Sequence, residues 1–244
     1  MKHLNSSSNK PGISIIIPIY NESDNIGDLL GFLLSIKGDC EIIFVDCGSS
    51  DDTVKKISDW IGEDTSSPCF LLLAPKKGRA NQMNYGASLA QCGILWFLHA
   101  DSIPPEDALN QIRKIINNGH SFGCFRIRFD SKHPLMLYNT LMSNFRAKVR
   151  KIAFGDQGIF ISKEIFEEIG GYSSIPLMED YELSAKMKCA GYSLKVAKGS
   201  IKTSQGRYLA NGRLRTMLRM QILQHRFRRG DDIEKIAADY EIRR

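Results

Sequence analysis

The chain has 244 residues, of which 43% are hydrophobic and 25% are charged, and its formal net charge is +6. This composition excludes a largely disordered chain and is typical of one large domain or two small ones. No apolar run approaches the roughly 20 residues of a membrane-spanning helix, and residues 1–9 lack the apolar core of a signal peptide. We therefore expect a cytoplasmic protein with free thiols and a flexible N-terminus at residues 1–10.

Strand-like and helix-like segments alternate in the first half of the chain. The predicted strands are 13–19, 41–46, 69–74 and 94–98. The predicted helices are 24–36, 51–61, 79–91 and 105–117. Apolar strands between amphipathic helices indicate an α/β fold with a mostly parallel central sheet and helices on both faces.

The second half is less regular. Its predicted strands are 125–129, 158–161 and 194–203, and its predicted helices are 134–149, 163–169 and 179–190. With no linker and no repeat, we interpret 11–204 as one domain with halves at 11–118 and 119–204. A basic helical segment at 205–244 follows it.

Polar clusters follow three of the predicted strands, at 20–22, 46–51 and 99–102. Ligands of parallel sheets bind at the carboxyl ends of the strands. The sequence therefore predicts a binding site where these three segments meet.

Four motifs in this order carry a resemblance to a known family. They are Pro18-Ile19-Tyr20-Asn21-Glu22, Val45-Asp46-Cys47-Gly48-Ser49-Ser50-Asp51, Lys77-Gly78-Arg79-Ala80-Asn81-Gln82-Met83-Asn84 and His99-Ala100-Asp101. The chain resembles glycosyltransferase family 2, inverting enzymes of the GT-A fold, over roughly its first 200 residues. It is most similar to a small soluble subgroup in which His-Ala-Asp replaces Asp-x-Asp.

The resemblance implies an enzyme with a nucleotide half at 11–118 and an acceptor half at 119–204. It would move a sugar from a nucleotide-diphosphate sugar to a hydroxyl acceptor by metal-assisted single displacement. We favour a UDP-sugar donor over a GDP-sugar, and the acceptor is unknown. A nucleotidyltransferase of related fold and a non-enzymatic basic binding module are the alternatives.

Nucleotide contacts are implied for Pro18, Tyr20 and Glu22. Tyr20 would cover the base, unless it is a core aromatic at a strand end. Asp46 or a nearby main-chain group would hold the edge of the base, because Cys47 replaces an aspartate that many family members have. The Arg79 guanidinium suits a phosphate or a base carbonyl.

Asp101 is the expected ligand of a divalent cation, Mg²⁺ or Mn²⁺, that neutralises the diphosphate leaving group. His99 would contact the ribose, ligate Mn²⁺ or only pack at the end of its strand.

Met178-Glu179-Asp180-Tyr181-Glu182-Leu183 matches the family's Glu-Asp-x-x-Leu segment. An inverting transfer needs a carboxylate to take the proton of the acceptor hydroxyl, and we predict Asp180 for that role, with Glu179 second. Without the resemblance, both acids would be explained by the dipole at a helix N-terminus. Gln157, in a further segment of the subgroup, is expected beside the donor sugar or the acceptor unless the segment is only a tight turn.

Residues 205–230 contain seven arginines and no acid. A helix at 213–229 with an apolar stripe has three interpretations. It docks on the catalytic domain, it makes the protein peripheral at the inner face of an anionic membrane, or it closes the active site with Arg207 reaching the diphosphate. Nucleic acid is not an expected partner, because the strand ends are acidic.

Overall fold

The computed structural model describes residues 12–36, 38–62 and 67–241. The predicted flexible segment 1–10 lies outside these residues. The strands are β1 (Ile13–Ile19), β2 (Cys40–Asp46), β3 (Cys69–Leu73), β4 (Ile94–Phe97), β5 (Ser102–Ile103), β6 (Phe122–Phe129), β7 (Phe160–Ser162) and β8 (Lys195–Thr203). The helices are α1 (Ile26–Ser35), α2 (Thr53–Ile61), α3 (Arg79–Leu89), α4 (Ala108–Asn117), α5 (Pro134–Phe145), α6 (Lys163–Glu168), α7 (Glu179–Cys189), α8 (Gly206–Ala210), α9 (Arg213–Arg229) and α10 (Ile233–Glu241).

The strands form one sheet in the order β3-β2-β1-β4-β7-β6-β8-β5. β3, β2, β1 and β4 are parallel, and β6 is parallel to β8. β7 runs antiparallel to both β4 and β6, and β5 runs antiparallel to β8. Because β1 lies between β2 and β4, the polar clusters that follow these three strands meet at one edge, as the sequence predicts.

Alternate residues of β1 enter two separate hydrophobic cores, one on each face of the sheet. Ile15 and Ile17 belong to the first core, and Ile16 belongs to the second. Helices α1, α2 and α4 cover the first face, whereas α3 lies over the second. A Cβ at Gly86 of α3 would lie 2.7 Å from a methyl carbon of Ile16. The glycine therefore lets α3 lie directly on the parallel strands.

The segment predicted as one helix at 134–149 has two parts. Its α-helix ends at Phe145, and a π-helical turn, Arg146–Arg150, follows before Lys151 takes a left-handed conformation with φ of 60°. β5 was not predicted, and α8 and α10 lie within the segment predicted as helical at 205–244, for which only the helix at 213–229 was given bounds. β5 has two residues and α8 has five, which is too short for a periodic pattern.

Helices α9 and α10 pack on the segment before α7. Their shared core contains Leu177, Met178, Leu223, Ile236 and Ala237. Arg219 donates to the main-chain oxygens of Asp239 and Tyr240, and Arg226 pairs with the Asp231 and Asp239 side chains. Among the described helices, none has the length and apolar character that crossing a membrane requires.

Candidate active site

A cleft of about 420 Å³ opens between the segments that follow β1 and β4 and the start of α7, and no residue of the cluster at 46–51 lines it. A second depression of about 350 Å³ adjoins it and shares Asn25 and Asp101 with it. The acidic, basic and histidine side chains among the described residues that line the cleft are Glu22, Arg79, His99, Asp101, Asp156, Glu179 and Asp180. Five carboxylates and one arginine make the lining acidic, so an anionic diphosphate would need a cation to bind there.

The loops that follow β1 and β2 are joined by hydrogen bonds. The amide of Glu22 donates to Thr53 Oγ1 over 2.8 Å, and the amide of Ser23 donates to Asp51 Oδ2 over 3.1 Å. Asp51 Oδ1 also accepts from the side chain and the amide of Thr53. These hydrogen bonds, led by the one from the Thr53 side chain, lower the pKa of Asp51 to about 2. Asp51 therefore acts as a structural anchor of both loops.

Tyr20 projects from the end of β1 with 44% of its surface exposed. The ammonium of Lys77 lies 5.9 Å from the centre of its ring. Pro18, two residues earlier on β1, is half-buried. The ring of Tyr20 is therefore solvent-facing and not a core aromatic, and neither Tyr20 nor Pro18 lines the cleft.

Asp46 is buried, and its carboxylate accepts hydrogen bonds within the loop that follows β2. It accepts hydrogen bonds from the amide of Gly48 at 2.7 Å and from the hydroxyl of Ser49 at 2.5 Å. Neighbouring Cys47 is also buried, and burial raises the pKa of its thiol. Asp46 does not line the cleft, so its part in positioning a base would be to shape the loop.

His99 and Asp101 both line the cleft at the end of β4. The imidazole of His99 packs on Gly155, where a Cβ would lie 2.4 Å from His99 Nε2. Asp101 is half-buried, and Ser102 Oγ lies 3.4 Å from its Oδ1. Carboxylate oxygen is the donor that Mg²⁺ and Mn²⁺ prefer, so Asp101 fits the predicted role of metal ligand. No cluster of three or more His, Cys, Asp or Glu side chains placed to hold a metal occurs among residues 12–36, 38–62 and 67–241.

Glu179 and Asp180 begin α7 on the acceptor side of the cleft. Glu179 is buried and lies 3.4 Å from the guanidinium of Arg79. Burial raises the pKa of Glu179, although Arg79 acts against this. Burial lowers the pKa of Arg79, but the carboxylates of Glu179 and Asp180 outweigh it and raise that pKa overall. The two half-domains therefore meet through an ion pair.

The carboxylate of Asp180 is held by main-chain amides. Its Oδ2 accepts from the amide of Gly155 at 2.7 Å, and its Oδ1 accepts from the amide of Tyr181 at 2.7 Å. A carboxylate oxygen has two lone pairs, so each oxygen keeps the capacity to accept a further proton. Asp180 is thus oriented and remains chemically competent as a base.

Helix α3 fixes the positions of several of these groups. Gln82 Nε2 donates to the main-chain oxygens of Ile19 and Val45, both at 2.7 Å. Asn84 Nδ2 donates to the main-chain oxygen of Tyr172 at 2.8 Å, and Asn84 Oδ1 accepts from the main-chain amide of Tyr172 at 3.0 Å. The motif at residues 77–84 therefore ties the ends of β1 and β2 to the acceptor half and places Arg79 at the cleft.

The prediction for Gln157 needs correction, because its side chain is fully buried and does not line the cleft. Its Oε1 accepts from Arg146 at 3.1 Å, and its Nε2 donates to the main chain of Phe125 at 3.3 Å. The amide thus satisfies buried polar groups of the acceptor half. Its neighbour Asp156 lines the cleft instead, although sequence analysis did not single it out.

The C-terminal helices supply one wall of the cleft. Tyr208, Met220 and Tyr240 line it, and the hydroxyl of Tyr208 accepts a hydrogen bond from Asn139 Nδ2 at 2.9 Å. The side chain of Arg207 lies outside the part of the chain that the structure describes. One of the three interpretations of the C-terminal segment, closure of the active site, concerned this end of the chain but did not single out Met220 or Tyr240.

The family model of Glycosyl transferase family 2 matches residues 14–172. The chain belongs to this family. It is 28% identical over 197 residues to a poly-β-1,6-N-acetyl-D-glucosamine synthase of Staphylococcus aureus (strain MSSA476), which covers 75% of this chain and 47% of the relative. A synthase of the same name from Staphylococcus epidermidis is 27% identical over 201 residues, with the same coverage. The chain thus spans about half the length of these relatives.

Solved structures of glycosyltransferases share the fold of this family member. A mannosyltransferase from Pyrobaculum calidifontis, in complex with GDP-Man and Mn²⁺, superposes with a TM-score of 0.63 at 22% identity, covering 78% of this chain and 57% of its own. S. aureus TarS 1-349, in complex with UDP-GlcNAc, has a TM-score of 0.61 at 16% identity, with 79% and 58% covered. These similarities confirm the predicted GT-A fold.

Proposed function

We propose that this family 2 member transfers a sugar from a nucleotide-diphosphate sugar to a hydroxyl acceptor, with inversion and with the help of a divalent cation. The observation that carries the proposal is the cleft itself. It joins Asp101, at the end of a parallel strand, to Asp180, at the start of α7 in the other half of the fold. The group that would hold the leaving diphosphate, through a cation, and the group that would accept the proton thus line the same cleft.

The donor would bind along the edge formed by β1, β2 and β4. Tyr20 offers an exposed ring to the base, Glu22 offers acceptors to the ribose, and Arg79 offers a guanidinium to the phosphates. One structural neighbour was solved with UDP-GlcNAc and another with GDP-Man, which supports a nucleotide sugar of either kind. We favour a UDP-sugar.

The chemical step is a single displacement at the anomeric carbon. Asp180 takes the proton of the acceptor hydroxyl while that oxygen forms its bond to the carbon. The bond from this carbon to the phosphate oxygen breaks on the opposite side, and the electron pair leaves with the nucleoside diphosphate. Glu179 is paired with Arg79. Asp180 is therefore the preferred base.

A divalent cation, held by Asp101, would supply charge neutralisation of the leaving diphosphate when bound. A neighbour of similar fold was solved with Mn²⁺, which supports a cation of this class. His99, packed on Gly155, would contact the ribose or complete the cation's ligands. The acidic lining of the cleft gives the physical need for the cation.

Release of nucleoside diphosphate from UDP-GlcNAc and from GDP-mannose would test the proposal. With Mn²⁺ present and water as a poor acceptor, we expect slow release of UDP or GDP from at least one donor. Chelation of the cation and the Asp101→Asn variant should each remove it. Release that continues unchanged in both cases would contradict the role of the cation. The predicted cytoplasmic location is a separate proposal that cell fractionation would test.

A further inference from the structure

Two helices expose apolar side chains at every fourth residue. Leu137, Leu141 and Phe145 of α5 are 56%, 65% and 49% exposed. On α9, Leu214, Leu218 and Ile222 are 54%, 56% and 58% exposed. A spacing of four residues aligns side chains along one face of a helix. Each helix thus presents a solvent-facing apolar stripe that the fold does not cover.

The two stripes lie on neighbouring helices. α5 contacts α9 directly. Asn139 of α5 is hydrogen-bonded to Tyr208, whose neighbour Leu209 is 55% exposed. We call the exposed surface of α5, α8 and α9 the α5–α9 face. Exposed apolar stripes on two helices that are in contact mark a candidate interaction surface.

The charge around this face has one sign. Residues 131–155 and 204–230 contain no aspartate or glutamate. The exposed cations of these two segments include Lys132, Lys148, Arg150, Arg215 and Arg228. Arg229 is also exposed but lies 3.9 Å from Asp231, which follows the second segment. A second copy of the chain would bring a basic face against a basic face. An anionic surface would neutralise the cations while the apolar side chains leave water, so the charge pattern selects such a partner.

We propose that the α5–α9 face docks on an anionic lipid bilayer, with its leucines at the level of the headgroups and its cations on anionic lipids. This interaction surface extends the contact predicted for 213–229 to α5, α8 and the π-helical turn that follows α5. Met220 lies on the opposite side of α9 from Leu218 and lines the cleft, so the cleft would be separated from the bilayer by this helix. The proposal does not rest on the proposed transferase function.

Cosedimentation with vesicles tests the proposal on the full chain. We expect binding to phosphatidylglycerol-containing vesicles at low salt, and a loss of at least about tenfold in pure phosphatidylcholine or in about 0.5 M salt. The double variant Leu141→Asp with Leu218→Asp should lose at least about tenfold in binding. The matched control, Leu34→Asp with Leu89→Asp, changes leucines that are exposed elsewhere and should bind as the native chain does.

Three results would overturn the proposal. The first is no cosedimentation of the native chain with anionic vesicles at low salt, and the second is equal binding by the two double variants. The third is a dimer in sedimentation velocity that Leu141→Asp with Leu218→Asp dissociates, since the face would then hold a second copy. If that variant unfolds, Lys148→Gln with Arg215→Gln serves instead, and undiminished binding by it would count equally against the proposal.

Discussion

Asp180 accepts a hydrogen bond from the amide of Gly155 within the acceptor half, and this helps to fix the direction of its carboxylate. We expect Asp180→Asn to keep the hydrogen bond from Gly155 through its amide oxygen, to lose the one from Tyr181 because its amide nitrogen only donates, and to lose the proton acceptor. Transfer should therefore fall by about 100- to 10,000-fold, the usual contribution of a general base, while nucleotide affinity changes little. Kinetics of transfer alongside calorimetric titration of the nucleotide would measure both.

A matched control for this variant lies on the same helix. Glu182 pairs with Lys186 at 3.3 Å on α7 and does not line the cleft. Glu182→Gln should therefore retain transfer. If Asp180→Asn transfers sugar as fast as this control does, Asp180 is not the base.

Arg79 is the partner of a buried carboxylate, so its loss should have a pH-dependent effect on stability. Arg79→Ala leaves Glu179 buried and unpaired, at a cost of about 1–3 kcal/mol, near the lower end because the Arg79 side chain is partly exposed. The pKa of Glu179 in the folded variant then rises further above its unfolded value. Proton uptake below that raised pKa favours the folded state, so the deficit should shrink as the pH falls.

Urea unfolding of the native chain and of Arg79→Ala at neutral and mildly acidic pH would measure this deficit. Arg79→Lys keeps a positive charge beside Glu179 and is the control, with a smaller deficit. A deficit for Arg79→Ala that is the same at both pH values would show that Glu179 does not carry the effect.

At the scale of elements, the loops after β1 and β2 depend on the ionised Asp51. The pKa of Asp51 in the fold, about 2, lies below its ordinary value of 3.8. Ionised Asp51 therefore stabilises the fold above pH 3.8 and ceases to do so as the pH falls towards 2. Asp51→Asn should therefore lower the urea midpoint at neutral pH, and the difference from the native chain should close in acid.

Asp52 provides the comparison, because its side chain makes no capping hydrogen bond at the start of α2. Asp52→Asn should change the midpoint little. A difference between Asp51→Asn and the native chain that persists unchanged into acid would assign the effect to packing of the loop and not to charge.

Elements with strong local patterns were predictable from the sequence. The run of isoleucines at 13–19 gives β1 its bounds, and the arginine-rich segment 213–229 gives α9 its bounds. The π-helical turn after α5 depends on tertiary contacts, since Arg146 lies 3.8 Å from the ring of Phe154 and bonds to Gln157. Such contacts leave no periodic signal.

The residues of the site also divide into those that topology predicts and those that depend on tertiary contacts. The carboxyl ends of adjacent parallel strands must meet, so Glu22, His99 and Asp101 could be placed together from topology alone. Gln157 was misplaced because a motif match gives a position along the chain and not the direction of a side chain. Closure of the site by the C-terminal segment was one interpretation, but Met220 and Tyr240 were not singled out, because α10 packs on α9 through contacts between distant residues.

At the scale of the whole molecule, one sheet runs through both halves of the chain, and the cleft lies where they meet. α3 ties the strand ends to the acceptor half, and the C-terminal helices complete the wall. Donor binding should therefore stabilise the entire fold and not one loop. The effect is expected to be visible in global unfolding.

Thermal unfolding with UDP, GDP and dTDP sugars, each with and without Mn²⁺, tests the central claim most directly. A ligand at about 100 times its dissociation constant stabilises the folded state by about 2.7 kcal/mol, which corresponds to roughly 5–11 °C for a chain of this size. We predict such a rise for at least one nucleotide sugar with Mn²⁺, reduced without the cation and in Asp101→Asn. No rise with any nucleotide sugar would contradict the assignment of this cleft as a sugar-nucleotide site.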